Sequence, residues 1–227
     1  DLLQKDKKYL ADSIADISHQ VRTPLTSVNL IAAALLNPAL DEEQRRAQVR
    51  DMQRQLDRID WLISSLLKIA KLDAGTIFLR RDKISLKSLI DKAAEPLAIP
   101  MELKEQTIEA DISGSFIGDL SWTAEAVGNI LKNCMEHMEQ GTIYVTTREN
   151  SLYSEIIIRD TGPGIDKNDI PHLFERFYKG TNSSEQSVGI GLALSRMIIV
   201  KQNGTIKAEN YKSGGAVFTI RFYKGTI

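Results

Sequence analysis

The sequence predicts an α+β protein in two parts: an N-terminal helical hairpin that forms a dimeric four-helix bundle, followed by an α/β sandwich. Two observations indicate this. Over residues 1–74 the apolar residues recur in alternating steps of three and four, which is typical of packed helices. From Thr76 onwards short alternating strands are separated by helical stretches. We therefore expect a first domain over residues 1–74 and a second over residues 75–227.

The first predicted helix runs from the N-terminus to about Leu36, where Asn37-Pro38 stops it. The apolar residues of this helix form one seam, which includes Ile17. His19 lies two positions past Ile17 and therefore off the seam, so we expect the imidazole to be exposed. Pro24 has no N–H and clashes with the carbonyl group of Gln20, which predicts a kink beside the histidine. The seam consists of Leu10, Ile14, Ile17, Val21, Pro24, Val28, Ile31 and Leu35.

The second predicted helix begins after Asp41, which is a suitable N-cap, and ends at Asp73-Ala74-Gly75. Two helices alone cannot cover this much apolar surface, so we expect a homodimer. The helix carries a seam and a parallel apolar stripe: Val49, Met52, Leu56, Ile59, Ile63, Leu66 and Ala70, and beside them Leu62, Leu67 and Ile69.

Four arginines recur every four residues along this second helix: Arg46, Arg50, Arg54 and Arg58. One interpretation, which the pattern favours, is a solvated face balanced by neighbouring aspartates. The second interpretation is a docking surface for an acidic partner.

The composition restricts the possible partners. The 227 residues suffice for two domains, and a net charge of −1 gives no attraction for nucleic acid. The single cysteine, Cys134, excludes an internal disulfide and suits a reducing compartment. No run of ~20 apolar residues is present, and the first residue is Asp, so any membrane attachment is expected through segments absent from this chain.

The second domain is predicted to hold six strands and three helices. In the last strand, Ala216, Phe218, Ile220 and Phe222 alternate as in a sheet with one buried face. Ser85 is a candidate cap for the first helix, which runs to about Ala98. The strands are expected at Ile77–Arg80, Thr107–Ala110, Thr142–Arg148, Tyr153–Asp160, Thr205–Asn210 and Ala216–Tyr223, and the other helices over Leu120–Met138, after Asp119, and Gly191–Gln202.

Two motifs in this half suit a nucleotide. Asn129 and Asn133 are four residues apart and share one helical face, where a neutral amide oxygen can ligate Mg²⁺. The second motif, Asp160-Thr161-Gly162-Pro163-Gly164-Ile165, follows an apolar strand. Its carboxylate can accept a hydrogen bond from the adenine 6-amino group and would repel guanine, while the glycines allow close backbone approach.

Two further motifs follow in order. The third motif is Leu173-Phe174-Glu175-Arg176-Phe177-Tyr178. We expect it to anchor the polar loop from Lys179 to Val188, which we interpret as a lid over the nucleotide. Gly189-Ile190-Gly191-Leu192-Ala193-Leu194 then leads into a helix whose N–H groups suit a triphosphate.

The segment around His19 resembles the H-box of sensor histidine kinases. It reads Ile17-Ser18-His19-Gln20-Val21-Arg22-Thr23-Pro24-Leu25-Thr26. The four later motifs resemble the N-box, first glycine box, F-box and second glycine box of the same family, in the same order. The resemblance implies a C-terminal domain of Bergerat ATP-binding type, with ATP and Mg²⁺ as cofactors. It also implies that His19 accepts the γ-phosphoryl group of ATP and passes it to an aspartate of a response regulator.

The resemblance also assigns residues to roles. It makes His19, Gln20, Thr23 and Lys179 catalytic, with Thr23 orienting a water for phosphatase activity, and makes Asn133 the metal ligand. It implies a bacterial protein, of which this chain is the cytoplasmic portion of a membrane sensor. The implied nucleotide-binding residues are Asn129, Asn133, His137, Asp160, Gly162, Gly164, Ile165, Tyr178, Lys179, Gly189, Gly191 and Leu192.

Three positions depart from the family pattern. Gln20 stands where a carboxylate is usual, Glu136 where Lys or Arg is common, and Ser187 where a glycine often opens the second glycine box. Because Gln20 carries no charge, we expect slow autophosphorylation, and the changes at Glu136 and Ser187 predict weak affinity for ATP. Two alternatives remain: a kinase-like scaffold that binds nucleotide or partner without efficient transfer, and a Bergerat-fold ATPase of the chaperone or topoisomerase type.

Overall fold

The computed structural model describes residues 2–181 and 187–225, with side chains from Ala15 onward. The chain divides into two compact units, Asp1–Lys68 and Ile69–Ile227, and the division falls within the second helix. None of the helices in the described part combines the length and apolar character that a membrane crossing needs.

The first unit is built from two long helices, as predicted. Helix α1 spans Leu2–Leu35 and helix α2 spans Glu42–Asp73. Asp41 and Gln44 cap α2 reciprocally: the Gln44 amide donates to Asp41 Oδ1 at 2.7 Å, and the Asp41 amide donates to Gln44 Oε1 at 3.2 Å. At the other end, Gly75 has a φ of +65°, the left-handed conformation that terminates many helices.

Burial in the hairpin follows the α1 seam closely and the α2 seam only in part. From Ile17 to Leu35 every α1 seam residue is buried or half-buried, while Leu10 and Ile14 lie outside the described side chains. On α2 the fully buried residues include Leu62 and Ser65. Four members of the predicted apolar face are instead 43–56% exposed: Val49, Leu56, Ile63 and Leu67.

The described residues of the second unit form seven strands and four helices numbered α3–α6. Strands β1 and β3 form a two-stranded antiparallel sheet, and a five-stranded sheet has the order β2-β4-β5-β7-β6. Within the larger sheet β2 and β4 are parallel and the other neighbours are antiparallel. The elements are β1 Asp82–Ser85, α3 Leu86–Ala94, α4 Ala98–Leu103, β2 Gln106–Asp111, β3 Ser115–Gly118, α5 Leu120–Glu136, β4 Gly141–Glu149, β5 Tyr153–Arg159, α6 Gly191–Lys201, β6 Gly204–Asn210 and β7 Ala216–Tyr223.

Two predictions for this unit are wrong. Ile77–Arg80 is not a strand; β1 begins at Asp82 because that is where the pairing with β3 begins, while the Arg80 amide donates to Asp119 Oδ2 instead. The predicted helix from Ser85 to Ala98 ends at Ala94, because Pro96 converts the next residues into a 3-10 turn over Glu95–Leu97, after which α4 follows. Ser85 occupies the N-cap position without a side-chain hydrogen bond.

The register of the large sheet brings several strand ends to one edge. Gly141 begins β4, Arg159 ends β5, Ala216 begins β7 and Asn210 ends β6. Because Tyr144 pairs with Arg159, Arg159 with Val217 and Asn210 with Ala216, these ends lie side by side. The residues that follow β5, including the whole first glycine box, therefore start from this edge.

Candidate functional site

His19 is exposed on α1, as its position off the seam predicts. The next residue, Gln20, is half-buried. Thr23, one helical turn further on, donates from Oγ1 to the backbone oxygen of His19 at 3.2 Å. This local bond occupies the hydroxyl hydrogen and leaves oxygen lone pairs of Thr23 able to accept.

Asp160 is fixed in place at the sheet edge. Its Oδ1 accepts backbone N–H bonds from Gly162 at 2.9 Å and Ala216 at 3.0 Å. The side chain is only 4% exposed, so this carboxylate has exchanged most of its water for protein donors. Oδ1 uses both of its acceptor positions, which leaves Oδ2 as the oxygen able to meet an adenine amino group.

The glycine box after Asp160 is packed tightly against its neighbours. A Cβ at Gly162 would lie 2.9 Å from Met138 Cγ and 3.2 Å from the backbone oxygen of His137. Gly164 has a φ of +84°. The box ends in a pair of hydrogen bonds that sequence reasoning missed: Ile165 N donates to Asn210 Oδ1 at 2.7 Å, and Asn210 Nδ2 donates to the Ile165 oxygen at 2.6 Å.

The two N-box asparagines on α5 are both half-buried, but they differ in their contacts. Asn129 Nδ2 donates to the backbone oxygen of Gly191 at 3.4 Å, which joins the N-box to the start of α6. Ser195 Oγ reinforces this junction, because it lies 2.9 Å from the backbone oxygens of both Ala126 and Gly191 and can donate its one hydrogen to either. Within the described residues no hydrogen bond occupies the side-chain amide of Asn133.

Cys134 connects the N-box to the first glycine box. Its side chain is 1% exposed, and burial together with the charge and hydrogen bond of the Asp160 carboxylate raises the pKa of the thiol well above its ordinary value. The carboxylate that was predicted to select adenine therefore acts electrostatically on the residue directly after Asn133.

Glu136, which departs from the family pattern, pairs with a lysine of its own helix. Lys132 Nζ lies 3.7 Å from Glu136 Oε1, and both side chains are largely exposed. This i, i+4 pair partly neutralises the carboxylate at that turn of α5. His137, at the end of the helix, is exposed.

The F-box meets the second glycine box through backbone contacts. Phe177 has a φ of +64°, and its amide donates to the Gly189 oxygen at 2.8 Å. Gly189 itself has a φ of +73°, and a Cβ there would lie 2.3 Å from the Tyr178 oxygen. Glycine is required at this position because any side chain would collide with the F-box backbone.

Another F-box residue binds the last turn of α2. Arg176 Nη2 lies 2.9 Å from Asp73 Oδ1 and 2.8 Å from Oδ2, and both residues belong to the second compact unit.

A cavity of about 1020 Å³ opens beside the first glycine box. Two predicted nucleotide residues, His137 and Gly162, line it together with Thr161 and the polar residues Lys104 and Gln140. No group of three or more potential His, Cys, Asp or Glu metal ligands occurs among residues 15–181 and 187–225.

These contacts join several residues that lie far apart in the sequence. Asn129 meets Gly191, Gly162 meets Asp160 and His137, and Tyr178 meets Gly189. Lys179 is exposed next to Tyr178, and Leu192 is buried in the first turn of α6. His19, Gln20 and Thr23 belong to the first unit, and residues 182–186 of the predicted lid lie outside the described residues.

Comparison with known families gives two matches in chain order. Residues 9–75 match the His Kinase A (phospho-acceptor) domain, and residues 118–226 match the family of histidine kinase-, DNA gyrase B- and HSP90-like ATPases. The chain belongs to the sensor histidine kinases. These are ATP-dependent protein-histidine kinases of two-component systems, and the combination of both domains separates them from the other ATPases of this fold.

Individual relatives agree with this assignment. Sensor protein SphS of Synechococcus elongatus is 30% identical over 231 residues, covering 95% of this chain and 54% of SphS. The solved structure of the Acinetobacter baumannii histidine kinase AdeS has a TM-score of 0.77 at 21% identity and covers 92% of this chain and 98% of that one. Histidine kinase ThkA, solved with the response regulator protein TrrA, has a TM-score of 0.77 at 19% identity, covering 98% of this chain and 64% of that one.

This kinase chain spans about half the length of the curated relatives that it matches. The structural likenesses confirm the predicted fold class, a helical pair followed by an α/β domain of the kinase type. The roles of the individual residues remain predictions.

Sequence reasoning missed three residues that the structure places beside the predicted nucleotide motifs. Asn210 holds Ile165, the pKa of Cys134 is raised by burial and Asp160, and Asp169 accepts hydrogen bonds from Tyr178 and Thr181. Asn210 and Asp169 lie outside every motif. Cys134 directly follows the N-box residue Asn133, but it is not itself part of that motif. A local pattern therefore contains no signal for any of them.

Proposed function

We propose that this chain transfers the γ-phosphoryl group of Mg²⁺-ATP to His19 and then to an aspartate of a response regulator. The observation that carries the proposal is the convergence of the nucleotide motifs within the second unit, where the first glycine box packs through Gly162 against His137 and Met138 at the end of the N-box helix. The N-box reaches α6 through Asn129 and Gly191, and the F-box reaches the second glycine box through Phe177 and Gly189. Motifs for one ligand are expected to converge in this way.

In this proposal Asp160 recognises adenine with Oδ2, because Oδ1 is already bound by two backbone amides. Gly162, Gly164 and Ile165 bring the backbone close to the base, and His137 lies at the open end of the same region. The triphosphate faces the start of α6, where Gly189, Gly191 and Leu192 supply backbone N–H groups and the positive end of the helix dipole.

Asn133 is the proposed Mg²⁺ ligand. Its half-buried amide makes no hydrogen bond within the described residues, and a neutral oxygen suits a cation that retains several waters and binds phosphates. The ion would supply neutralisation of phosphate charge when bound. Lys179 is proposed to add positive charge from the start of the lid.

His19 must attack as a neutral imidazole through Nε2, with its proton on Nδ1. The new bond forms between Nε2 and the γ-phosphorus while the bond to the β–γ bridging oxygen breaks, so that ADP leaves. Gln20 can accept the Nδ1 hydrogen bond through its amide oxygen, but it cannot stabilise the developing imidazolium as a carboxylate would. We therefore propose that the transfer is slow.

We also propose that the helical hairpin forms a homodimer. Val49, Leu56, Ile63 and Leu67 are 43–56% exposed in the single chain, although they belong to a regular apolar face. A second copy that packs against this face would complete a four-helix bundle and remove that area from water.

The response regulator is the proposed second partner, and the solved complex of ThkA with TrrA supports this by analogy. The arginine row of α2 gives little support for a docking surface. Arg46 pairs with Glu42 and Arg54 pairs with Asp51 on the same helix, which favours the interpretation as a solvated face. We further propose that the chain is the cytoplasmic part of a bacterial membrane sensor.

Radiolabelling with γ-³²P ATP tests the main proposal. We expect a label on the wild type that is stable to base and labile to acid, and no label on His19→Ala. His137 and His172 remain in that variant, so they serve as internal controls for labelling of other imidazoles. Unchanged binding of a fluorescent ATP analogue by His19→Ala would show that the nucleotide site is intact. A wild type that binds nucleotide without taking up label would favour the scaffold alternative.

A further inference from the structure

Asp169 lies between the first glycine box and the F-box, outside every recognised motif. It directly precedes a 3-10 turn over Ile170–His172 and is 7% exposed. Its carboxylate accepts three hydrogen bonds. Tyr178 Oη donates to Oδ1 at 2.7 Å, the Thr181 amide donates to Oδ2 at 2.8 Å, and Thr181 Oγ1 donates to Oδ1 at 3.3 Å.

These donors come from both sides of Lys179. Tyr178 precedes the lysine and Thr181 follows it by two residues, so one carboxylate holds both ends of a four-residue segment. Gly180 passes directly over the carboxylate, since a Cβ there would lie 2.7 Å from Asp169 Oδ2. The segment therefore approaches Asp169 more closely than a residue with a side chain could.

Tyr178 is held at its backbone as well as at its hydroxyl. A Cβ on Gly189 would lie 2.3 Å from the Tyr178 oxygen, which shows how closely the second glycine box packs against it. The ring centroid of His172 lies 5.4 Å from that of Tyr178. The segment that carries Lys179 is thus attached to α6 through Gly189 and to the 3-10 turn through Asp169.

The electrostatics agree with this geometry. Hydrogen bonds from Tyr178 and Thr181 lower the pKa of the Asp169 carboxyl group, and the hydrogen bond to Asp169 raises the pKa of the Tyr178 hydroxyl. Asp169 is therefore ionised, and Tyr178 is a neutral donor, at neutral pH. Hydrogen bonds to a charged acceptor are stronger than those between neutral groups.

We infer that Asp169 is a positioning residue for phosphoryl transfer, which acts by holding Tyr178 and Thr181 so that Lys179 between them faces the phosphates. The inference rests on the proposed function, because it requires Lys179 to stabilise the transferring group. It assigns Asp169 no contact with the nucleotide or with His19.

The test is a double-mutant cycle in the full chain with Asp169→Asn and Lys179→Met. Asparagine has the same shape, but it loses the charge and one acceptor, so Tyr178 or Thr181 loses its partner. We expect kcat for His19 labelling to fall about 10- to 100-fold, with a small change in KM for ATP, as for other displaced catalytic groups. In the Lys179→Met background, Asp169→Asn should change kcat by less than about twofold, because the residue acts through Lys179.

Two variants control this cycle. Asp111→Asn removes an exposed carboxylate from β2 and should leave kcat unchanged. Tyr178→Phe deletes only one of the three donors and should reduce kcat less than Asp169→Asn does. If Asp169→Asn fails to fold, as judged by circular dichroism, Tyr178→Phe replaces it in the cycle, with a smaller loss of kcat expected and the same disappearance of that loss in the Lys179→Met background.

The outcomes distinguish failure of the positioning role of Asp169 from failure of the proposed kinase function. An unchanged kcat in Asp169→Asn or in Lys179→Met, or an equal loss in both backgrounds, would overturn the positioning role while leaving the proposed kinase activity intact. A wild-type chain that takes up no label on His19 would refute the proposed function and the positioning role together.

Discussion

Asp160→Asn tests adenine recognition with little disturbance of the fold. The asparagine side chain would keep an oxygen at the Oδ1 position. This oxygen can still accept from the amides of Gly162 and Ala216, which in the wild type lie 2.9 and 3.0 Å from Asp160 Oδ1. The Oδ2 position would become an NH₂ group. A donor would then face the adenine 6-amino group, which is also a donor, whereas it would suit the O6 acceptor of guanine.

The expected loss follows from the burial of this group. A hydrogen bond to a charged partner contributes about 1.5–3 kcal/mol, and Asp160 is 4% exposed, so water can replace little of it. We therefore expect the Kd for ATP to rise about 10- to 150-fold. The ratio of GTP to ATP affinity should increase, because the same change adds a favourable contact to guanine.

Isothermal titration calorimetry with ATP and GTP, each in the presence of Mg²⁺, measures both effects. Asp111→Asn is the matched control, since it makes the same chemical change at an exposed position of β2. Thermal unfolding of Asp160→Asn should show a cooperative transition. An ATP Kd within about twofold of the wild type, or an unchanged ratio of GTP to ATP affinity, would refute the assignment of Oδ2 to adenine.

Three further predictions concern the phosphoacceptor helix and the buried thiol. Gln20→Glu should increase the initial rate of His19 labelling by about tenfold, because a carboxylate stabilises the imidazolium, and this is measured by filter binding with γ-³²P ATP. Thr23→Ala should abolish dephosphorylation of a phosphorylated response regulator while leaving His19 labelling within about twofold, since the proposed role of Thr23 is to orient water and not ATP. Cys134 should react with iodoacetamide at pH 8 far more slowly in the folded chain than in urea, because burial and Asp160 keep the thiol protonated. Its folded-state pKa is raised, so stability should fall as the pH rises above the ordinary thiol value of about 8.5, as denaturant titrations at pH 7 and 9.5 can measure.

Each of these three predictions has a result that contradicts it. An equal or lower labelling rate in a folded Gln20→Glu variant would exclude the proposed role of residue 20. Unchanged phosphatase activity in Thr23→Ala would reject the role carried over from the family. Rapid alkylation of Cys134 in the native chain would show that burial does not protect the thiol.

The long helices were predictable because their signals are local. The capping pair Asp41–Gln44 and the left-handed Gly75 each depend on residues close together in the sequence, and the observed bounds of α2 agree with them. The α1 seam also predicted which side chains are covered and that His19 is exposed. On α2 the same period could not tell residues buried within one chain, such as Leu62, from those left exposed, such as Ile63, because both lie on one apolar face.

The small sheet was not predictable in the same way. A strand is defined by its partner, and β1 and β3 are short segments that pair across about thirty intervening residues. Ile77–Arg80 has the local composition of a strand, but it lies outside this pairing. The 3-10 turn at Pro96 likewise divided a helix whose apolar period continues through it.

The sequence by itself determined the family and the order of the nucleotide motifs, and it predicts His19 as the phosphoacceptor, because each of these is carried by side chains within a few positions of one another. Only the tertiary structure decided that Asp169 holds Tyr178 and Thr181 and that Asn210 holds Ile165. The physical reason is that a hydrogen bond depends on distance in space. The sheet brings the ends of β5, β6 and β7 to one edge, and no local pattern along the chain contains that proximity.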